Sequence, residues 1–282
     1  MTALTLPWIV TTIIVGGGFG LLIGSFLNVV VYRVPAGMSI SSPPSACPGC
    51  GSRIKAYDNV PVLSWLALRG RCRSCSERIS SRYPLVETAT GIFFVLVAIR
   101  FFPVGAMGEP ASVLLPALPV VVAFLYLAAI SVALGLIDID VHRLPNAIVL
   151  PSYVIGLLLL GASAALGGDW SALMRAGVGM AALWLFYAVL AVAKPGGMGF
   201  GDVKLAGVLG MYLGFVGWGP LLIGAFAAFL LGGLYSIALL STRRVSRKGG
   251  IPFGPWMLAG AWIGIFAGPS LWNGYLSLLG VA

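Results

Sequence analysis

The sequence predicts an all-α polytopic membrane protein, with about eight transmembrane helices and one small cysteine-stapled insert. Three observations carry that prediction. Hydrophobic residues make up 59% of the 282-residue chain and charged residues only 9%, with a mean hydropathy of +1.02. That balance excludes an ordinary soluble domain. Apolar runs near the roughly 20 residues needed to cross a bilayer recur along the whole length. Finally, fifteen of the seventeen Lys/Arg fall in four connecting segments that eight spans would place on one side.

The first apolar stretch, 8–32, is too long for a signal-peptide core and has neither a basic leader nor a convincing cleavage site, so it is expected to remain as a span. Further spans are expected at 84–102, 113–137, 147–167 and 176–193. The stretch 204–217 is short and Gly-rich, and 219–240 and 253–273 complete the set. The domain organisation that follows is a first helix to residue 32, a soluble insert over 33–83 and a membrane core over 84–282.

A net charge of +9 resembles a nucleic-acid signal until it is mapped onto this topology. Eight cations lie in 33–83, and Arg243, Arg244, Arg247 and Lys248 lie in the loop 241–250. Arg143, Lys194 and Lys204 fall in two further turns on the same side, leaving only Arg100 and Arg175 opposite. The positive-inside rule makes the rich face cytoplasmic and puts both termini outside. Membrane topology and attraction to anionic lipid account for the charge, so no nucleic-acid partner is expected.

All four cysteines lie in the insert, as Cys47-Pro48-Gly49-Cys50 and Cys72-Arg73-Ser74-Cys75. Two such knuckles suit tetrahedral zinc, and a cytoplasmic location disfavours stable disulfides. Four thiolates close the coordination shell, so the metal is expected to be structural, stapling a segment too small for its own core. Gly49 and Gly51 are expected to let the backbone wrap the ion, and Arg71 and Arg73 to lower the thiol pKa values. Trp65, in the apolar stretch between the knuckles, is expected to anchor at the membrane interface.

Carboxylates at a membrane edge invite a functional reading. Asp138 ends span 113–137, seven residues before Pro145, and Leu144 ahead of that proline is pushed out of the helical region, so the chain turns there. Asp140 would point to a different side of the helix. Asp202 sits in Gly199-Phe200-Gly201-Asp202-Val203-Lys204, in a run where Gly196, Gly197, Gly199 and Gly201 let another chain approach closely. A helix starting near Lys204 would bring its positive end to that carboxylate. Two carboxylates brought together cannot both ionise, so one holds a proton while the other acts as a base. Taken singly, each aspartate is more readily a solvated charge, a helix cap or a lysine partner than a catalytic group.

Together these motifs resemble the type IV prepilin peptidases, the bifunctional leader peptidase/N-methyltransferases of the GxGD aspartic protease class. The resemblance runs in order through Gly24 to Pro35, the two C-x-x-C knuckles, Tyr57 to Leu66 between them, Arg82 to Glu87, the Asp138 to Pro145 element and Gly199 to Lys204. It implies that Asp138 and Asp202 are catalytic and that Asp140 supports them. Asn146 departs from the acidic residue usual after Leu-Pro. The resemblance further implies prepilin and pseudopilin substrates, cleaved on the cytoplasmic side of the bacterial inner membrane. It also implies methylation of the new N-terminus with S-adenosylmethionine as donor. Glu87 is either a methylation-site residue or a charge snorkelling beside Arg82. The rival from another class, a transporter relaying protons through its aspartates, leaves the knuckles unexplained. His142, the only histidine, is expected to be a turn or interfacial side chain.

Overall fold

The computed structural model describes residues 5–102, 110–194, 197–241 and 252–281. The expected basic loop with Arg243, Arg244, Arg247 and Lys248 lies outside them, as does Gly196. In chain order the helices are α1 Thr5–Arg33, the short α2 Leu63–Ala67, α3 Arg82–Phe101, α4 Ala111–Val141 and α5 Asn146–Gly167. They continue as α6 Trp170–Ala193, α7 Phe200–Val216, α8 Trp218–Ser241 and α9 Gly254–Leu278. Among the described residues there is no strand, only two isolated bridges in the insert.

Among the described residues, eight long helices occupy the eight predicted stretches, but six of them (α1, α3, α4, α5, α6 and α8) are long and apolar enough to cross a membrane. Helix α7 fails that test for a physical reason. It has only 17 residues, and every side from Leu205 to Gly214 is buried, so its apolarity serves a protein core rather than lipid. Helix α6 begins at Trp170 rather than near 176, because Asp169 caps it by accepting the Ala172 N–H at 3.0 Å.

The chain forms two compact units, Met1–Pro110 with Phe124–Ala133 and Ala111–Ala123 with Leu134–Ala282. In the first, α1 lies against α3 so closely that a Cβ on Gly24 would come within 2.7 Å of the Glu87 backbone. The insert folds around Trp65. Its indole Nε1 donates to Ile79 O at 3.1 Å, and its ring covers Gly70, which holds a left-handed φ of +66°. Trp65 is therefore half-buried inside the insert rather than an interfacial anchor. The indole N–H finds a carbonyl there, which lets the ring be buried without losing a bond to water. Arg33, at the end of α1, ties down the entry to the insert by donating to Ser39 O at 2.9 Å and Pro43 O at 2.7 Å.

The second unit is built around α7. Helices α6 and α7 touch backbone to backbone where Gly179 meets Gly210, a crossing that a side chain at either position would block. Helices α8 and α9 pack in the same manner around Gly224 and Gly260.

Candidate active site and metal centre

Helix α4 runs through Val141, so Asp138 lies in its last turn, as the Leu144-Pro145 break predicts. Pro145 is the N-cap of α5, and His142 sits exposed in the intervening turn with φ of 53°. Asp138 is 5% exposed, whereas Asp140 is solvent-exposed, so the helix turns only the first of them inward. The Asp138 Oδ2 accepts the backbone N–H of Gly254 at 3.0 Å, a bond between residues 116 apart in sequence. Gly254 opens α9, so this carboxylate faces the positive end of a helix.

Asp202 lies in the first turn of α7, which starts at Phe200 and not at Lys204. Its Oδ2 accepts the N–H of Gly199 at 3.1 Å, so it too sits at a helix N-terminus. Lys204 turns elsewhere: its Nζ donates to Asn146 Oδ1 at 3.0 Å and lies 5.2 Å from the centre of the Phe200 ring. Asp138 and Asp202 are brought to one place by Leu144, which packs against Gly201 beside Asp202 and against Gly254, whose N–H holds Asp138. Two helix N-termini aimed at one pair of carboxylates offset part of the repulsion between them.

The glycines of the motif acquire specific partners. A Cβ on Gly201 would lie 3.1 Å from the Leu144 Cβ, so the chain that approaches closely there is the turn following Asp138. A Cβ on Gly254 would lie 2.7 Å from Asp138 Oδ2 and 3.4 Å from Leu144 Cδ2. Leu144 is wedged between the segment that carries Asp202 and the one that holds Asp138. Sequence reasoning missed Gly254. Its available signal was the pair Pro252 and Pro255 bracketing Phe253-Gly254, which marks a helix start. Tyr187 on α6 was missed as well. It is 2% exposed, its ring centre lies 6.3 Å from that of Phe253 just ahead of Gly254, and nothing distinguishes it within the apolar run around it.

In the other unit, the four cysteine sulfurs lie within 4.8 Å of one another, and none forms a disulfide. Cys47 Sγ and Cys75 Sγ are 3.7 Å apart. A thiolate tetrahedron with bonds of about 2.3 Å to zinc has edges of about 3.8 Å, so the donor set fits such an ion. The two knuckles repeat one hydrogen-bonding scheme. Gly51 N–H donates to Cys47 O at 2.8 Å, and Ser76 N–H donates to Cys72 O at 3.0 Å. The left-handed position falls on Gly51 in one knuckle and on Ser76 in the other, with φ of 69° and 60°, and Gly49 is not left-handed. The Cys72 thiol is held down to about 6 by the N–H groups of Cys75 and Ser74 rather than by the expected arginines. Arg73 instead pairs with Asp58, Nη2 to Oδ1 at 2.6 Å.

Glu87 is buried at 7% exposure and does not snorkel. Its Oε2 accepts the N–H of Val62 at 2.7 Å, at the start of α2. Val62 holds φ of 60°, a strained position for a β-branched residue, and the Glu87 bond helps to fix it there.

Residues 19–101 match the Bacterial Peptidase A24 N-terminal domain, and residues 124–237 match the Type IV leader peptidase family. A protein of Pseudomonas putida called prepilin leader peptidase/N-methyltransferase is 39% identical, over 93% of this chain and 92% of the relative. Proteins of the same name from Aeromonas hydrophila and Neisseria gonorrhoeae are each 36% identical. The alignments cover 96% of both chains in the first case and 90% of both in the second. No solved structure matches the chain.

Proposed function

Because the chain belongs to the type IV leader peptidase family, we propose that Asp138 and Asp202 are the catalytic pair of its peptidase. The protein is a prepilin leader peptidase and N-methyltransferase of a multi-pass membrane type. The observation that supports the catalytic assignment is that two carboxylates from separate helices each accept a backbone N–H at a helix N-terminus, with Leu144 packed between the glycines beside them. In such a pair one carboxylate keeps a proton and the other is ionised. The ionised partner takes a proton from water, which attacks the scissile carbonyl. The protonated partner hydrogen-bonds to the carbonyl oxygen, and a proton passes to the leaving amine as the peptide bond breaks.

The substrates in this reading are type IV prepilins and pseudopilins, cut on the cytoplasmic face of the bacterial inner membrane. The cation distribution supports that orientation. Zinc held by Cys47, Cys50, Cys72 and Cys75 staples the insert and takes no part in peptide hydrolysis. S-adenosylmethionine would supply the methyl group. Glu87 is the methylation-site residue in this reading, supported by its burial against the insert through Val62.

The test uses purified protein in lipid with a prepilin and labelled S-adenosylmethionine, reading the size shift and the label together. D138N and D202N are each expected to abolish cleavage while the protein stays folded and metal-loaded. Normal cleavage by either variant refutes the pair.

A further inference from the structure

We propose that Lys204 is a positioning residue for the carboxylate pair. Helix α5 grips it at both ends, by its ammonium at Asn146 and by its carbonyl at Tyr153, and so fixes the first turn of α7 against the turn that follows Asp138. The proposal rests on the assignment of Asp138 and Asp202 as the catalytic pair.

Both grips are direct hydrogen bonds. Lys204 Nζ donates to Asn146 Oδ1 at 3.0 Å, and the Tyr153 hydroxyl donates to Lys204 O at 2.5 Å. Asn146 and Tyr153 are seven residues apart, about two helical turns, so they share one face of α5. Both bonds end on a single residue two positions after Asp202. On the other side of Asp202, Gly201 packs against Leu144, which lies just ahead of the N-cap Pro145. The chain is therefore tied on each side of Asp202 to one short segment, 144–153, that leads directly from the turn after Asp138.

The seat of the tyrosine is built into α7. A Cβ on Gly207 would collide with the Tyr153 hydroxyl and lie 3.0 Å from its Cζ, so the missing side chain is what lets the phenol reach the helix backbone. A helical carbonyl keeps a second lone pair, which accepts the phenol without breaking the helix. At the other grip the donor is an ammonium, and such a charge-assisted bond is stronger than one between neutral groups. The same ammonium lies 5.2 Å from the ring centre of Phe200, the first residue of α7, and so holds the start of its own helix as well.

The experiment compares K204M, N146A, their double variant, K204R, Y153F and D202N in the full-length protein, reconstituted in lipid with a prepilin. K204M and N146A each delete the ammonium bond. Each is expected to lower kcat about tenfold with KM within about twofold, since a misplacement of about 1 Å costs on the order of 100-fold. The double variant is expected to be no slower than K204M, because both changes remove one bond. K204R keeps a donor and is expected to recover kcat to within about threefold of the parent. Y153F removes the other grip and is expected to lower kcat about three- to tenfold, again with little change in KM. Parental kcat in N146A or in Y153F overturns the proposal. A K204M protein with raised KM and parental kcat also overturns it, by making the ammonium a substrate contact. If K204M loses helical content, N146A decides alone, because Asn146 is exposed. Cleavage by D202N sinks the pair itself, a result distinct from an inactive D202N beside an unaffected N146A.

Discussion

Replacing Gly254 with alanine tests the mounting of Asp138 without touching either carboxylate. The new Cβ would stand 2.7 Å from Asp138 Oδ2, and ordinary contact begins near 3.4 Å. The difference is about 0.7 Å, and Leu144 Cδ2, already 3.4 Å from the new Cβ, leaves little slack around it. The carboxylate or the start of α9 must therefore move by that amount. Misplacing a catalytic group by about 1 Å costs on the order of 100-fold in rate, so G254A is expected to cut kcat by roughly 30- to 100-fold. Overpacking should cost about 1–3 kcal/mol of stability, which a helical bundle of this size tolerates. The assay is single-turnover cleavage of a prepilin by reconstituted protein, with methyl transfer to a pre-cleaved substrate as an internal control. G233A supplies the contrast, since nothing lies within 4 Å of a Cβ built on Gly233 of α8. Full cleavage activity in G254A, or an equal loss in G233A, would refute the reasoning.

Two further predictions concern the other unit. C72S is expected to lose stoichiometric metal and to make the insert protease-sensitive while prepilin cleavage persists; unchanged zinc content by elemental analysis would exclude the four-thiolate site. At Glu87 the alanine and glutamine variants separate two roles. E87A leaves the Val62 N–H unpaired and should loosen the insert by about 1–3 kcal/mol. E87Q keeps an acceptor oxygen, so it should keep the insert folded, measured by hydrogen exchange at Val62 and α2. Loss of methyl transfer in E87Q with that protection intact supports a methylation role, and retained transfer reduces Glu87 to an anchor.

Much of the fold was legible because its signals are local or compositional. Runs of apolar residues near bilayer length predicted where the long helices lie, and Pro145 marks a helix start by a backbone rule that needs no distant partner. The cysteine spacing predicted a cluster that the folded insert assembles. Errors arose where an apolar residue had more than one way to be satisfied. Trp65 suits an interface or an interior equally well by composition, and only the carbonyl of Ile79 decided between them. Helix α7 counted as a span until burial on every side accounted for its hydrophobicity.

The sequence by itself determined an all-helical membrane chain, a thiolate cluster, and two motif aspartates at the ends of apolar runs. The tertiary structure alone decided what faces those aspartates. Gly201 accommodates Leu144, Gly254 holds Asp138 across 116 residues, and Gly179 meets Gly210 where α6 crosses α7. Helix periodicity and turn chemistry act over a few residues, so they announce themselves in the chain. Contacts between helices distant in sequence depend on how close two backbones come, and no local pattern encodes that distance.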